Sequence, residues 1–264
     1  MYIDAHLHSC FSGDSETPPE KQIEKAISLG MKRMCFTDHH DPCVESDVDF
    51  ELDYSSYFSK MQELKEKYAK FIEIGIGVEL GLQPHIGELL KNITSKYPFD
   101  FVIGSIHFVD GYDPYYPEYF HIYKQKAYRT YFQTTLESIK AAPCFDSLGH
   151  LDYIARYGGP FGLTYSYDEY ADSIDPILRE VIDGGRALEC NTGGLSRGLS
   201  DPNPCFDALR RYKELGGELI TLGSDAHDPS TLGYRFDEVG ERLRAIGFTH
   251  YAVYKGRKPE MMSL

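Results

Sequence analysis

The 264-residue sequence predicts an α/β protein whose parallel sheet closes into a barrel. Three observations carry that expectation. Short β-rich runs alternate with helical patterns from end to end, the signature of a parallel sheet. At least seven such units fall within one domain-sized chain, which favours a closed barrel over an open sheet. The unusual polar residues gather at the C-terminal ends of the expected strands, the face on which barrels carry their active sites. No linker, low-complexity block or repeat divides the chain, so one domain over residues 1–264 is expected.

Taken in order, the expected strands are Tyr2–Ala5, Arg33–Thr37, Phe71–Val78, Phe101–Ser105, Ser147–Gly149, Ala187–Cys190 and Glu218–Gly223. Pro18-Pro19 opens the first helix, Ile23, Ala26 and Ile27 share one face, and Gly30 stops it. Helical spacing then recurs over Tyr57–Tyr68, Ile86–Lys96, the long stretch Tyr119–Lys140, and Asp168–Ile182, which ends at Gly184-Gly185. Pro204–Leu215 ends at Gly216-Gly217, and Asp237–Ile246 precedes a last β-like run, His250–Tyr254. Residues 110–118 form a loop rich in Tyr and Pro.

Composition narrows the function. Apolar residues at 42% and charged residues at 26% are the balance of a soluble globular chain. A formal charge of −14 lacks the basic footprint that nucleic acid or an anionic membrane surface requires. No apolar run approaches the roughly 20 residues of a membrane helix. Met1–His8 lacks a basic region followed by a long apolar stretch, so no export signal is expected and a cytoplasmic protein is. The six cysteines contain no C-x-x-C pair and are expected to be free thiols, mostly buried. Cys10 and Cys43 lie close enough to histidine motifs to line a site.

The chemistry lies at the strand ends. Asp4-Ala5-His6-Leu7-His8 places His6 and His8 on one face of an extended segment, with Asp4 placed to orient one of them. Further strands end in Thr37-Asp38-His39-His40, Gly77-Val78-Glu79-Leu80, Gly104-Ser105-Ile106-His107, Gly149-His150-Leu151-Asp152 and Gly223-Ser224-Asp225-Ala226-His227. Six of the ten histidines, His40 set aside, thus gather with Glu79 and Asp225 on one face. Without cations to coordinate, so many partly desolvated imidazoles and carboxylates would be costly. Imidazole with carboxylate suits Zn, Mn or Fe, whereas Mg and Ca prefer oxygen. The candidates outnumber the roughly three or four ligands of one catalytic zinc, so a polynuclear centre is expected, with Glu79 bridging. Such a centre can generate a hydroxide nucleophile and clamp the oxygens of a phosphoryl group.

In this order, D-x-H-x-H, T-D-H, the G-V-E-L strand end, S-I-H, G-H-L-D and G-S-D-A-H resemble the PHP superfamily (polymerase and histidinol phosphatase), from residue 4 to residue 227. The resemblance implies a distorted (β/α)7 barrel with three divalent ions (Zn, Mn or Fe) at its C-terminal mouth. Carried over by position, it implies one metal on His6, His8, Glu79 and Asp225, with Glu79 bridging to a second on His107 and His150. Asp14, His39 and His227 would hold the third; Asp14 has a turn or cap role as its alternative. His40 would face substrate or solvent. His150-Leu151-Asp152-Tyr153-Ile154-Ala155-Arg156-Tyr157-Gly158 and Asn191-Thr192-Gly193-Gly194-Leu195-Ser196-Arg197 resemble the histidinol-phosphatase branch, in which Arg156 and Arg197 would grip the phosphate. The catalytic set implied is Glu79, Asp225, His227, Arg156 and Arg197.

That branch implies a phosphomonoesterase acting on L-histidinol phosphate through a metal-bound hydroxide, a step of histidine biosynthesis. Another small phosphate ester, such as a nucleotide or sugar phosphate, is the alternative. A carbon–nitrogen hydrolase and a non-catalytic barrel fit less well, because Glu79 and the Asp225–His227 ending are present and the ligand set is complete. A small-molecule phosphate ester is the expected partner, and the sequence leaves the oligomeric state open. Asp152 is expected to orient a neighbour or to act as a general acid. Tyr112, Tyr115 and Tyr116 are placed either to close over substrate or to form an ordinary exposed loop. His85, His121 and His250 have no partners at ligand spacing.

Overall fold

In the computed structural model, which describes residues 2–264, the chain lays parallel strands side by side and packs helices outside them. The elements in order are α1 (Pro19–Ser28), β1 (Arg33–Phe36), β2 (His39–His40), α2 (Tyr54–Tyr68), β3 (Glu73–Gly81), α3 (Gly87–Lys96), β4 (Phe101–Ser105) and α4 (Pro117–Tyr123). They continue with α5 (Ala127–Ala141), β5 (Ser147–Leu148), α6 (Tyr167–Asp183), β6 (Ala187–Asn191), α7 (Gly193–Ser196), α8 (Phe206–Glu214), β7 (Ile220–Gly223), α9 (Phe236–Ile246), β8 (His250–Lys255) and β9 (Lys258–Ser263).

The sheet runs β1-β3-β4-β5-β6-β7, and β2 continues the line of β1 along β3, pairing His39 with Glu79. The expected first strand makes only isolated bridges, Asp4 with Met34 and Leu7 with Ala226. It nevertheless joins the two free edges. Cys35 N donates to Asp4 O and Thr37 N to Leu7 O on one side, while Ala5 N donates to Leu222 O and Asp225 N to His6 O on the other. This segment, β1 with β2, and β3 to β7 are the staves of the distorted seven-unit barrel.

Period-two geometry then sorts the first stave. Asp4, His6 and His8 are buried polar residues, Ile3 and Leu7 join the main apolar core, and Ala5 joins a smaller one. The main core lies between sheet and helices. A smaller apolar cluster of Ala5, Cys35, Phe101, Ile103, Ala187, Ala252 and Tyr254 fills the barrel floor, where Tyr254 of β8 stacks on Phe101 at 4.9 Å. The β8–β9 hairpin caps the N-terminal mouth: Arg257 N donates to Asp100 O, and its guanidinium reaches Asp146 Oδ2 at 2.6 Å. The opposite mouth, where strands end, is left for chemistry.

Two expectations need correction. Tyr119–Lys140 is not one helix. The chain turns at Lys124, whose φ is +51°, and the Tyr119 hydroxyl donates to Ala127 O across the break. Burial of the cysteines holds for Cys35 and Cys190, while Cys10 and Cys43 are exposed; all six are free thiols. Among the described residues, no helix is long and apolar enough to cross a membrane.

Candidate metal centre

The centre is built around Glu79. It sits fully buried near the C-terminal end of β3, at the mouth where the other staves also end, so their side chains can reach it. Oε2 lies 3.1 Å from His6 Nε2, 3.5 Å from His8 Nε2 and 3.0 Å from His39 Nδ1; Oε1 lies 2.7 Å from His150 Nε2 and 3.3 Å from His107 Nε2. Asp225 faces the same cluster, with Oδ1 3.4 Å from His8 Nε2, 3.6 Å from His227 Nδ1 and 3.8 Å from His6 Nε2. Asp14 closes the outer side: its Oδ2 is 3.1 Å from His227 Nε2 and 3.7 Å from His39 Nε2. All nine residues expected as ligands therefore converge.

The donor atoms fall into overlapping groups: His6, His8 and Asp225; His6, Glu79 and His150; His39, Glu79 and His107; and His8, His39 and His227, each within 4.8 Å. Several of these atoms, including His6 Nε2, His8 Nε2, His39 Nδ1, Glu79 Oε2 and His227 Nε2, are buried without any hydrogen-bond partner. An unpaired buried polar atom costs about 1–3 kcal/mol. Five gathered in one cluster make sense as ligands, and the mixture of imidazole and carboxylate is that of a divalent-metal centre.

Charge inside the cluster is divided accordingly. Burial pushes the Glu79 carboxyl up, but His6, His39 and His107 outweigh it and hold Glu79 well below the usual carboxylate range. Burial pulls His39 down, yet Asp14 and Glu79 raise it to about 9. Burial, with His227 and His39 beside it, drives His8 well below the ordinary imidazole value. Asp225 is buried too, and Arg197 and Arg156 keep it well below its usual range.

Groups behind the cluster fix the rings. Glu189 Oε1 lies 2.6 Å from His6 Nδ1, and Oε2 accepts from His150 N at 2.9 Å. Asp41 Oδ1 holds His107 Nδ1 at 2.9 Å, and Ser12 Oγ meets His8 Nδ1 at 2.9 Å. A carboxylate or hydroxyl on the far nitrogen sets which ring nitrogen points inward. Gly223 leaves the room this needs: a Cβ there would come within 2.3 Å of both Glu189 Oε1 and His6 Cβ. Glu189→Gln is expected to lower metal affinity about 10- to 100-fold while the barrel folds; metal titration alongside circular dichroism checks it, and unchanged affinity would contradict the role.

Other expected residues are placed differently. Asp4 does not orient an imidazole: its carboxylate accepts from the backbone N–H groups of Ser224, Gly233 and His6, so it shapes the β7 end. His40 faces neither substrate nor solvent. It is buried against Tyr54, and its Nδ1 accepts from Leu52 N at 3.0 Å. Neither Cys10 nor Cys43 belongs to the donor groups, and His85, His121 and His250 are exposed. Glu189, Asp41, Asn191 and Asn203 were not anticipated. Of these, Glu189 alone carries a sequence signal, being the one charged residue in an otherwise uncharged strand.

The arginines stand beside the cluster. Arg156 Nη1 donates to Asp225 Oδ2 at 3.0 Å, and Arg197 Nη1 approaches the same oxygen at 3.5 Å. Gly193 permits this convergence, since a Cβ would meet Arg197 Nη1, Asn191 Oδ1 and Asp225 Oδ2 within 2.9 Å. Asp225 itself adopts φ +56°, a left-handed conformation uncommon outside glycine that often marks functional sites. Over the cluster opens a cavity of about 440 Å³, lined also by Phe50, Asp113, Tyr115, Tyr116, Tyr153 and Tyr157. Tyr112 lies outside this lining.

The chain matches the PHP domain family over residues 4–193. It is 33% identical over 261 residues to the histidinol-phosphatase of Lactococcus lactis subsp. lactis, covering 97% of this chain and 95% of that one. It is 35% identical over 243 residues to a probable histidinol-phosphatase of Clostridium acetobutylicum, covering 89% and 90%. The crystal structure of the histidinol phosphate phosphatase of Lactococcus lactis subsp. lactis, complexed with Zn, L-histidinol and phosphate, superposes with a TM-score of 0.87 at 30% identity, covering 98% of each chain. Since the family match takes in every stave from the first histidine pair to β6, and near-full-length relatives share the remainder, this chain belongs to the PHP domain family.

Proposed function

We infer that this chain is a metal-dependent phosphomonoesterase that hydrolyses L-histidinol phosphate to L-histidinol and phosphate, a step of histidine biosynthesis. The observation that carries the reading is the position of Asp225, one oxygen facing the histidine cluster and the other facing two guanidinium groups on the wall of the same cavity. A phosphate monoester fits that junction. Names and bound ligands of the near-full-length relatives support histidinol as the alcohol.

The residues fit three divalent ions: His6, His8, Glu79 and Asp225 would hold one, Glu79, His107 and His150 a second, and Asp14, His39 and His227 a third. Zinc is supported by the crystallised relative, and the donor set also suits manganese or iron. Ions so held supply the positive charge that activates water and steadies the oxygens of the transferring phosphoryl group. Arg156 and Arg197 add fork-shaped donors for the peripheral oxygens. Asp225, ionised at neutral pH, keeps both forks beside the centre. Asp152 does not serve as a general acid: its side chain is spent on Asn203 and the Cys205 backbone, behind Arg156.

Asp113 gives the cavity a group for the other end of the substrate. It is a carboxyl that burial raises to about 6, and it stands among the aromatic rings of Phe50, Tyr115 and Tyr157. A carboxylate within an aromatic wall suits an organic cation. Asp113→Asn is expected to raise KM for L-histidinol phosphate about tenfold and to leave KM for an aryl phosphate without a cationic group unchanged. An equal rise for both substrates, in steady-state kinetics, would assign Asp113 to the fold.

The reading is tested by phosphate release from a panel of L-histidinol phosphate, nucleotide monophosphates and sugar phosphates, with bound metal quantified before and after chelation. Preference for L-histidinol phosphate, lost with the metal and regained on reloading, is the expected result. Preference for another ester would keep the chemistry and change the substrate, and turnover surviving metal removal would overturn the reading.

A further inference from the structure

Arg156 is held on several sides. Its Nε donates to Asn203 Oδ1 at 2.9 Å, Nη1 to Asp225 Oδ2 at 3.0 Å and Nη2 to Asn191 Oδ1 at 3.1 Å. The Tyr153 ring lies 5.1 Å from its Cζ. These bonds take Nε and one hydrogen of each terminal nitrogen, so one N–H remains on each for the oxygens of a phosphate.

Asn203 belongs to neither adjoining strand. It lies in the return loop between α7 and α8, which is stapled to the end of β6 by reciprocal backbone bonds, Asn191 N to Asn203 O and Asn203 N to Asn191 O, both 2.8 Å. The staple presents a buried side chain whose Nδ2 donates to Asp152 Oδ1 at 2.6 Å, while Asp152 Oδ2 accepts from Cys205 N at 2.9 Å. Chemistry fixes the amide's orientation. Arg156 can only donate, so the carbonyl must face it, which leaves the amide nitrogen to donate to Asp152. Gly194 keeps this place open, since a Cβ there would stand 2.6 Å from Asn203 Oδ1.

We propose that Asn203, backed by Asp152, is a positioning residue that locks Arg156 in the orientation in which its remaining N–H groups receive the substrate's phosphate. The proposal rests on the reading of Arg156 as a phosphate-binding group. Asn203 touches no substrate; it acts by removing the freedom of a long side chain that would otherwise have to be ordered on binding.

The test compares Asn203→Leu, Arg156→Ala and the double variant for kcat, KM, competitive inhibition by inorganic phosphate, bound metal and Tm. Asn203→Leu is expected to raise KM and the phosphate inhibition constant together, each about tenfold, with bound metal retained. In the Arg156→Ala background the same substitution should add almost nothing, because its target is gone. Should Asn203→Leu fail to fold, Asp152→Asn, which removes the carboxylate behind the amide, is expected to give the same pattern. If Arg156→Ala weakens phosphate and Asn203→Leu does not, or if the two losses add in full, Asn203 is merely structural and the proposal falls. If Arg156→Ala itself leaves phosphate inhibition unchanged, the failure lies instead in the role given to the arginine.

Discussion

Glu79→Gln is expected to strip most of the bound metal and to lower kcat/KM by on the order of 10³-fold. The substitution keeps volume and shape, so the barrel should retain its circular dichroism. What it removes is the negative charge facing five imidazoles between 2.7 and 3.5 Å. The amide also turns N–H donors toward ring nitrogens that must present lone pairs to a cation. Because Glu79 serves both of its oxygens to different histidines, no neighbouring carboxylate replaces it: Asp225 reaches only the His6, His8 and His227 side, and Asp14 only His39 and His227. Elemental analysis and steady-state kinetics on the same preparation check the prediction. Full metal content with kcat/KM within about tenfold of the parent would remove Glu79 from the heart of the site.

The groups aimed inward were legible in the sequence because they sit where strands stop. Period-two spacing put His6 and His8 on one side, and a polar cluster at successive strand ends can only meet at one mouth of a parallel barrel. The groups behind them were not legible, because nothing local ties them to their partners. Glu189 meets His6 across 183 positions and Asp41 meets His107 across 66. Glu189 could have been found by asking what a lone carboxylate does inside a buried strand, since an unpaired one would not be tolerated. Asn203 offered no such signal: it lies in an irregular loop, before a proline, with no periodicity to read.

The same distinction holds for the fold. The central strands and most helices follow from local pattern. The first stave was expected as a strand and is held instead by single bridges to both edges, because its task is to close the ring. β9 was missed altogether. Its sequence, Lys258–Ser263, is exposed throughout and contains a proline, so it shows no apolar alternation. Its hairpin turn, with positive φ at both Gly256 and Arg257, is of the kind that usually announces itself by Asn-Gly or Asp-Gly. Asp4 was expected to orient an imidazole and His40 to face substrate or solvent, yet both are occupied by backbone N–H groups.

The two arginines, alike in the sequence, are expected to differ sharply when removed. The Arg156 side chain is 2% exposed and that of Arg197 40%, although both approach Asp225 Oδ2. Arg156→Ala leaves a buried carboxylate short of its nearer cation and strands the amide oxygen of Asn203, whereas that of Asn191 keeps the Gly193 N–H. Breaking a buried pair in this way costs about 3 kcal/mol or more, which for a domain of this size lowers Tm by roughly 6–12 °C. With one phosphate fork gone as well, kcat/KM should fall about 100-fold or more. Arg197→Ala removes a half-exposed side chain, so Tm should move by no more than about 2 °C. Its kcat/KM should fall nearer tenfold, mainly through KM, with metal retained. Arg156→Lys should recover part of the stability and little of the phosphate affinity, because an ammonium cannot reproduce a fork held by three acceptors. Thermal melts and phosphate inhibition of the three variants decide the matter. If Arg197→Ala proves the more destabilising, or if lysine at 156 restores full phosphate affinity, then burial and fork geometry are not what distinguish the two arms.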